Sequence, residues 1–585
     1  MSYDVAEIKH PLAGVTRLAT SRPRVLGWMR SAAILDGDWG TSVAYVMGIG
    51  FALAGYSSFW HLSAMMLLTT LVAINYISIC RLYPNGGGVY SSVYHRSKLL
   101  AVIGALLLAA DYIVTMSLSV LDGCHYLGVE HPALWAILII VLIGAINWFG
   151  PKHSGGLALI ITMGTIVTLF IIIVASAPTA LTSATLAPLE GGIFHNWGIF
   201  TGFILSLSGI EAVSNMTGLM KDPTRDSRRA ILSVLAKVLV VNAFLGLAML
   251  AVQGLKPGDH LENMIRFLGE HYVGHWFGWL VAGSLGVLLL SAGNTALNDL
   301  ISIQFLMSVD RELPTSLRIL NRHGVPIVPL IIATGVPVVV LLMIGNVEML
   351  SHLYAIGLVG AMTINLGSTA TDKTIHLKSA VRWFMVISAT VLLAIEISIA
   401  VNKTQAAIFA SSILIAGLSA RAIAKRPVKL PPTVPEAVPV PAVQPRRRPK
   451  AIPSTKYLLA LKVRNERLLK FAIEEAKARN AFLFVLQVKE IAVGSLPAQM
   501  DMPTNGEQKW IEDTCAESGL GFQTIQIPSY DVGYTIAEQA ATFGVERVII
   551  GAEQRSRLEY VLKGSVMTAL SSLLPEEVQL VIYGG

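Results

Sequence analysis

The sequence predicts an all-α membrane domain of about twelve transmembrane helices, followed by a soluble α/β domain built on a five-stranded parallel sheet. Three observations predict it. The chain of 585 residues is 54% hydrophobic and 14% charged, and its mean hydropathy of +0.62 exceeds what a soluble globular protein carries. Apolar stretches of about 20 residues, each able to cross roughly 30 Å of hydrocarbon, recur between residues 32 and 424. Beyond a proline-rich spacer, apolar runs of strand length alternate with helical stretches.

The expected spans are 32–54, 59–81, 99–126, 132–149, 154–177, 195–219, 231–253, 275–305, 325–345, 348–370, 379–400 and 405–424. The segment before them, residues 1–31, has neither the compact apolar region nor the small-residue cleavage site of a signal peptide, and is expected in the cytoplasm. That orientation places Arg81, Arg96, Lys98, Lys221, Arg225, Arg228, Arg229, Arg311, Arg318 and Arg322 in connections on the inner side, against Lys256, Arg266 and Lys403 on the outer. The positive-inside rule therefore predicts a multi-pass protein of the plasma (inner) membrane with both termini cytoplasmic. The same bias accounts for the net charge of +7 and leaves no role for nucleic acid. Cys80, Cys124 and Cys515 show no CxxC or zinc spacing, so neither a disulfide framework nor a structural metal is expected.

Residues 425–453 read KRPVKLPPTVPEAVPVPAVQPRRRPKAIP, a composition that denies the backbone its donors and favours an extended spacer. Its Arg446, Arg447, Arg448 and Lys450 suit anionic headgroups and plain solvation equally. In residues 454–585 the runs TKYLLALKV, AFLFVLQVKE, GFQTIQIP, VERVIIGA and EVQLVIYG read as the five strands.

Ionisable side chains in mid-membrane cost about 2.5–3.5 kcal/mol each, so each one asks for a reason. The first span holds LDGDWGTSVAY, with Asp36, Gly37, Asp38, Gly40, Thr41, Ser42 and Tyr45. Asp36 and Asp38 are two residues apart and cannot both face a bundle interior from a continuous helix. The glycines predict a break, which lipid forbids unless protein encloses it. Asp36 has a plainer reading, as a residue marking the cytoplasmic end of the helix. In the third span Asp111, Thr115 and Ser119 form a polar stripe at i, i+4 and i+8, with Tyr112 beside it. Hydroxyl packing between helices accounts for Thr115 and Ser119 but not for Asp111. The sixth span, LSLSGIEAVSNMTG, again joins helix-weakening residues to a carboxylate at Ser208, Gly209 and Glu211. Interruptions in spans one and six point to a repeat in which spans 1–5 and 6–10 are related by inversion, with the site between the broken helices. Tyr354 adds a phenol near several glycines, a feature that packing explains as readily as function.

These stretches carry a resemblance. GDWGTSVAY, YPNGGGVY, ADYIVTMSLSVLDG, SGIEAVSN, GNTALNDLISIQFLMSVDRELP and LYAIG together resemble the KUP/KimA potassium transporter family of the amino acid-polyamine-organocation superfamily, over about 400 residues. The resemblance implies a LeuT-like 5+5 inverted repeat with helices 1 and 6 broken. It implies that Asp38, Tyr45, Asp111, Tyr112, Thr115, Ser119, Ser208, Glu211 and Tyr354 line a potassium pathway, with Asp38, Tyr45, Ser119 and Ser208 holding the ion. Ser208 stands where the family has threonine, and Asp299 where it has a neutral residue; a basic partner for Asp299 near the cytoplasmic mouth is one account of it. The tail resembles universal stress proteins in its order of elements and in Gly551 followed by Lys563, Gly564 and Ser565, a place for a regulatory nucleotide's phosphate. Gln554 and Lys462 depart from that family's pattern. The resemblance further implies a homodimer joined through the tail.

The reading that follows is a secondary active potassium importer, not an enzyme, working by proton symport, with no cofactor beyond K⁺ and H⁺. Glu211, or Asp111 with it, would take a proton on one side of the membrane and release it on the other. The alternative is an amino acid or polyamine permease of the same superfamily, in which Asp38 would repel a substrate carboxylate but welcome a cationic amine. A membrane-anchored receptor is a third reading, against which the paired helix breaks argue. The orientation has a direct check: a reporter active only outside the membrane, fused after Ala424, is expected to stay silent.

Overall fold

The computed structural model describes residues 24, 26–86, 88–150, 155–425, 455–492, 506–529, 531–553 and 557–584. Two compact units emerge, one running from Arg24 to Lys425 and the other comprising the strands and helices beyond the spacer. The arginine cluster at 446–448, Lys450 and Gln554 lie outside the described residues.

The first unit is helical throughout: α1 (Trp28–Asp36), α2 (Ser42–Ala54), α3 (Ser58–Leu82), α4 (Val89–Tyr94), α5 (Lys98–Leu127), α6 (Pro132–Asn147), α7 (Gly155–Ser183), α8 (Ile193–Gly202), α9 (Ala212–Met216), α10 (Pro223–Leu250), α11 (Met264–Tyr272), α12 (His275–Val309), α13 (Ile327–Met343), α14 (Val347–Thr371), α15 (Ser379–Asn402) and α16 (Thr404–Ala424). Among the described residues nine helical runs are long and apolar enough to cross a membrane, and α6 and α13 are shorter apolar helices. The first run, Trp39–Leu82, spans 44 residues and takes in the expected span 59–81 and the part of 32–54 from residue 39 on. One boundary moves substantially. α10 begins at Pro223 and not near residue 231, because Asp222 accepts a hydrogen bond from Arg225 N at 3.1 Å and proline fits the first helical turn. Arg225, Arg228 and Arg229 thus belong to a helix and not to a connection; apolar content alone could not see a capped polar turn.

α5 is the axis of the unit, and nearly every side chain from Ala101 to Cys124 is buried. α12 and α14 pack along it. Gly357 makes the α14 contact possible, since a Cβ there would sit 2.7 Å from Leu107 O and 2.8 Å from Asp111 N. The last helix, α16, is mostly uncovered, yet its end is fastened. The buried Glu312, just past α12, accepts from Arg421 Nε at 2.6 Å and from Lys425 Nζ at 2.8 Å.

The second unit comprises β1 (Lys456–Ala460), α17 (Glu466–Ala478), β2 (Phe482–Glu490), α18 (Gly506–Glu517), β3 (Phe522–Ser529), α19 (Val532–Phe543), β4 (Arg547–Gly551), α20 (Arg557–Lys563), α21 (Val566–Leu573) and β5 (Gln579–Tyr583). All pairings are parallel, in the order β3-β2-β1-β4-β5. Because successive strand residues face opposite ways, Leu459, Val485 and Ile549 pack on one face with Leu469 and Ile473, while Leu458, Leu486 and Val548 pack on the other with Ile536 and Leu570. Both faces are covered, as a parallel sheet requires.

The Glu312 clamp has a signed pH dependence. Burial opposes its charge, but the hydrogen bonds from Lys425 and Arg421 outweigh burial and hold the carboxyl below its ordinary 4.5. The unfolded chain therefore binds the proton more readily, so the clamp's stabilisation is complete above the unfolded value and is lost as pH falls through the lowered folded one. Glu312→Gln is expected to cost about 2 kcal/mol near neutral pH. Its difference in Tm from the native chain should be constant above about pH 5.5 and shrink below about pH 4.

Candidate functional site

The first break lies between Asp36, the end of α1, and Ser42, the start of α2. Asp38 (φ −113°, ψ −70°) leads into a single 3₁₀ turn over Trp39–Thr41. The break frees carbonyls, and neighbouring hydroxyls take them up: Thr41 donates to Asp38 O, and Ser42 donates to Trp39 O at 2.8 Å. The second break follows α8: a 3₁₀ turn over Phe203–Leu207, extended backbone at Ser208, then Gly209 at φ +83° before α9. The two breaks touch. Trp39 Nε1 donates to Ser206 O at 3.2 Å, and a Cβ on Gly209 would lie 2.5 Å from Trp39 N and 2.7 Å from Asp38 Cγ. Only glycine meets both the left-handed backbone and that approach.

The expected site residues gather at this junction. The Ser208 and Tyr354 hydroxyls are hydrogen-bonded to each other, joining the second break to α14. Tyr45 faces Ser208 and Thr41. On α5, Asp111, Thr115 and Ser119 are all buried, and Thr115 donates to Asp111 O at 2.9 Å. Tyr112 accepts from Asn215 Nδ2 at 2.9 Å. Asp38, Asp111, Glu211 and Asp299 lie within electrostatic reach of one another. A basic partner for Asp299 does not appear among the described residues; its neighbours are Asp38 and Tyr112.

Asp36 and Asp38 part ways, as the break allows. Asp36 is fully engaged with Lys237 of α10, whose Nζ lies 2.7 and 2.8 Å from its two oxygens. Gly40 leaves room for the pair, since a Cβ there would collide with Asp36 Oδ1 and Lys237 Nζ. Asp36 is thus a structural charge, deeper in the protein than a helix-end marker. Lys237 escaped sequence reasoning because its partner is 201 residues away. Asp122 escaped it too, although it lies eleven residues after Asp111, about three helical turns, on the same stripe. It is buried, and neither oxygen has a hydrogen-bond partner.

Asp111 and Glu211 are also buried, and none of their four carboxylate oxygens meets a donor in full hydrogen-bond geometry, although the Tyr354 hydroxyl lies beside Asp111. A buried carboxylate stays charged only beside a cation or strong donors. Among the described residues no lysine or arginine is paired with Asp38, Asp111, Asp122 or Glu211, so the charge they lack must come from a proton or a bound cation. No three His, Cys, Asp or Glu side chains among the described residues are placed to share one metal ion.

In the second unit, Gly551 closes β4, Gly564 has φ +70°, and Ser565 caps α21. The position expected for a phosphate is held by the chain itself. Glu553 accepts from Ser565 Oγ at 2.6 Å and from Val566 N at 3.1 Å. Lys563, nearly inaccessible, pairs with Glu490 at 3.2 Å. Lys462 lies exposed just past β1.

A helical membrane unit with two broken helices meeting at a cluster of buried acids is the form of a secondary transporter. The chain belongs to the amino acid permease family, whose model matches residues 26–419. An uncharacterized transporter of Mycobacterium tuberculosis is 28% identical over 316 residues, covering 48% of this chain and 68% of its own, and one of Mycobacterium bovis matches equally. A probable threonine/serine transporter of Bacillus subtilis, YbxG, is 23% identical over 212 residues, 33% of this chain and 44% of that protein. The expected superfamily and transporter class hold. The names of these relatives speak of transport and of threonine/serine, and none of potassium, so they favour the permease alternative.

The Asp36–Lys237 pair predicts a rescue. Lys237→Met leaves a buried carboxylate unpaired and is expected to destabilise by about 3–5 kcal/mol, whereas Asp36→Asn with Lys237→Met recovers most of the loss. Thermal unfolding of the two variants in detergent checks it.

Proposed function

We propose that this chain is a proton-coupled permease of the amino acid permease family whose substrate is a small solute bearing a cationic amine: a polyamine or an amino acid with excess positive charge. One observation carries the reading. Beside two meeting helix breaks, Asp111 and Glu211 present four buried oxygens with no basic partner and no donor in full hydrogen-bond geometry, the Tyr354 hydroxyl lying next to Asp111. An ammonium group supplies donors and charge together, and a carboxylate such as Asp38 in the first break disfavours substrates whose own carboxylate is uncompensated. The threonine/serine name of one relative supports an amine-bearing substrate.

Glu211 is the coupling acid in this scheme, and Asp111 shares the duty. Protonation removes the Glu211 charge without breaking the hydroxyl framework of Ser208, Tyr354 and Tyr45. With Glu211 protonated the amine pairs with Asp38 and Asp111, so proton and amine move inward together, and loss of the proton on the inner side releases the amine with it. Asp38 sets affinity.

A second reading, potassium import, is favoured by the oxygen-rich set of Asp38, Tyr45, Ser119 and Ser208 and by the motif resemblance. A desolvated potassium ion needs several oxygens of this kind. In either case the chain sits in the plasma membrane with both termini inside, and the second unit regulates or dimerises it without chemistry of its own.

Uptake into proteoliposomes under an inward proton gradient separates these readings, using radiolabelled putrescine, lysine, threonine and rubidium. Gradient-driven uptake of a cationic amine is expected, with Asp38→Asn lowering affinity and flux. Glu211→Gln should lose about tenfold of the gradient's stimulation while retaining exchange. Rubidium uptake without any amine uptake moves the assignment to potassium, and full gradient dependence in Glu211→Gln removes that residue from coupling.

A further inference from the structure

The first unit carries a second polar site, away from the helix breaks. A cleft of about 370 Å³ opens between the α4–α5 corner and the end of α14, lined by His95, Arg96, Thr371, Asp372, Lys373 and Thr374. Three apolar helices end around it: α5 begins at Lys98, α14 stops at Thr371 and α15 starts at Ser379. It therefore lies where hydrocarbon gives way to headgroups.

Its charges sort into those already engaged and those left over. The last carbonyls of α14 form the negative end of a helix dipole, and Arg96 meets them, its NH1 donating to Ser368 O at 2.9 Å and to Thr371 Oγ1 at 2.5 Å. Asp372, the acid of the cleft, has both oxygens occupied. Oδ1 accepts from Thr374 N at 2.8 Å and Thr374 Oγ1 at 2.7 Å, and Oδ2 lies 2.7 Å from His95 Nε2. Those bonds, from Thr374 first and then His95, hold its carboxyl down at about 2, so it stays charged and engaged at any physiological pH. Arg382 NH2 closes the loop on Asp372 O and Ile375 O at 3.2 and 3.0 Å. Left over are the ammonium of Lys373, exposed and without an ion pair among the described residues, and the Nε and NH2 of Arg96, which meet no protein acceptor there.

We propose that this cleft binds the headgroup phosphate of an anionic lipid between Arg96 and Lys373. An arginine fork with free N–H groups and a lysine point charge is a donor set suited to phosphate oxygens, and basic pockets between transmembrane helices bind such headgroups. A soluble phosphate would present the same oxygens, so the test separates the two sources.

Native mass spectrometry of the full chain, purified with phosphatidylglycerol and phosphatidylcholine present in equal amounts, reads the retained lipid. The native chain should retain phosphatidylglycerol about fivefold over phosphatidylcholine, and Lys373→Glu should abolish that preference. Lys256→Glu, the same charge change at an exposed lysine outside the cleft, should keep it. Lys373 is exposed, so the variant folds, and an unchanged Tm in phosphatidylcholine confirms that. Equal retention by the native chain and Lys373→Glu overturns the site. Release of phosphatidylglycerol from the native chain by millimolar inorganic phosphate overturns the lipid assignment in favour of a soluble anion. The measurement uses no transport substrate, so it stands apart from the permease reading.

Discussion

In hydrocarbon every backbone N–H and C=O must find a partner within the protein, and the membrane unit is organised around the two places where a helix gives that up. Each break is acceptable because the other covers it. Gly209 lets the second break lie against Asp38 and Trp39 of the first, Trp39 reaches across to Ser206 O, and Thr41 and Ser42 collect the loosened carbonyls. The fully helical α5 runs past this junction as a rigid wall, with α14 drawn against it at Gly357. Rigidity around a locally unwound centre is what a transport site needs, since binding groups are held in place while the polar backbone is shielded from lipid.

The acids of the chain fall into two groups by what surrounds them. Asp36, Glu312, Asp372 and Glu553 are occupied by Lys237, by Arg421 and Lys425, by Thr374 and His95, and by the start of α21. They fasten one element to another. Asp111, Asp122 and Glu211 are equally buried, and none of their oxygens meets a donor in full hydrogen-bond geometry. Leaving carboxylates in that condition costs free energy that a structural role does not return. Their placement on one face of α5 and at the second break is what the proton- and cation-binding role proposed for them would use.

Family and site agree in kind. The amino acid permease match covers the membrane unit, and the broken helices and acid cluster lie within it. The first break itself carries an acid, Asp38. A substrate carboxylate seated on that backbone would meet the Asp38 side chain within a few ångströms, and no basic side chain is paired with Asp38 there among the described residues. That is the electrostatic ground on which a cargo with positive charge to spare is proposed.

The sequence by itself determined the elements and their character. Helical breaks are written in local glycine and hydroxyl content, the α5 stripe in a helical period, and the five parallel strands in short apolar runs separated by helices. Those signals depend on neighbours within a few residues. Tertiary structure decided which charges are engaged and which are left for a ligand. Local sequence offers Asp36 only a helix-end reading; Lys237, 201 residues away, makes it a structural ion pair and leaves Asp38 to the site. Likewise Ser565 and Gly564 suit a phosphate until Glu553 folds onto α21, and Asp122 is one more polar residue in α5 until the fold buries it completely. Burial and pairing are long-range properties, and a side chain's chemistry follows from them.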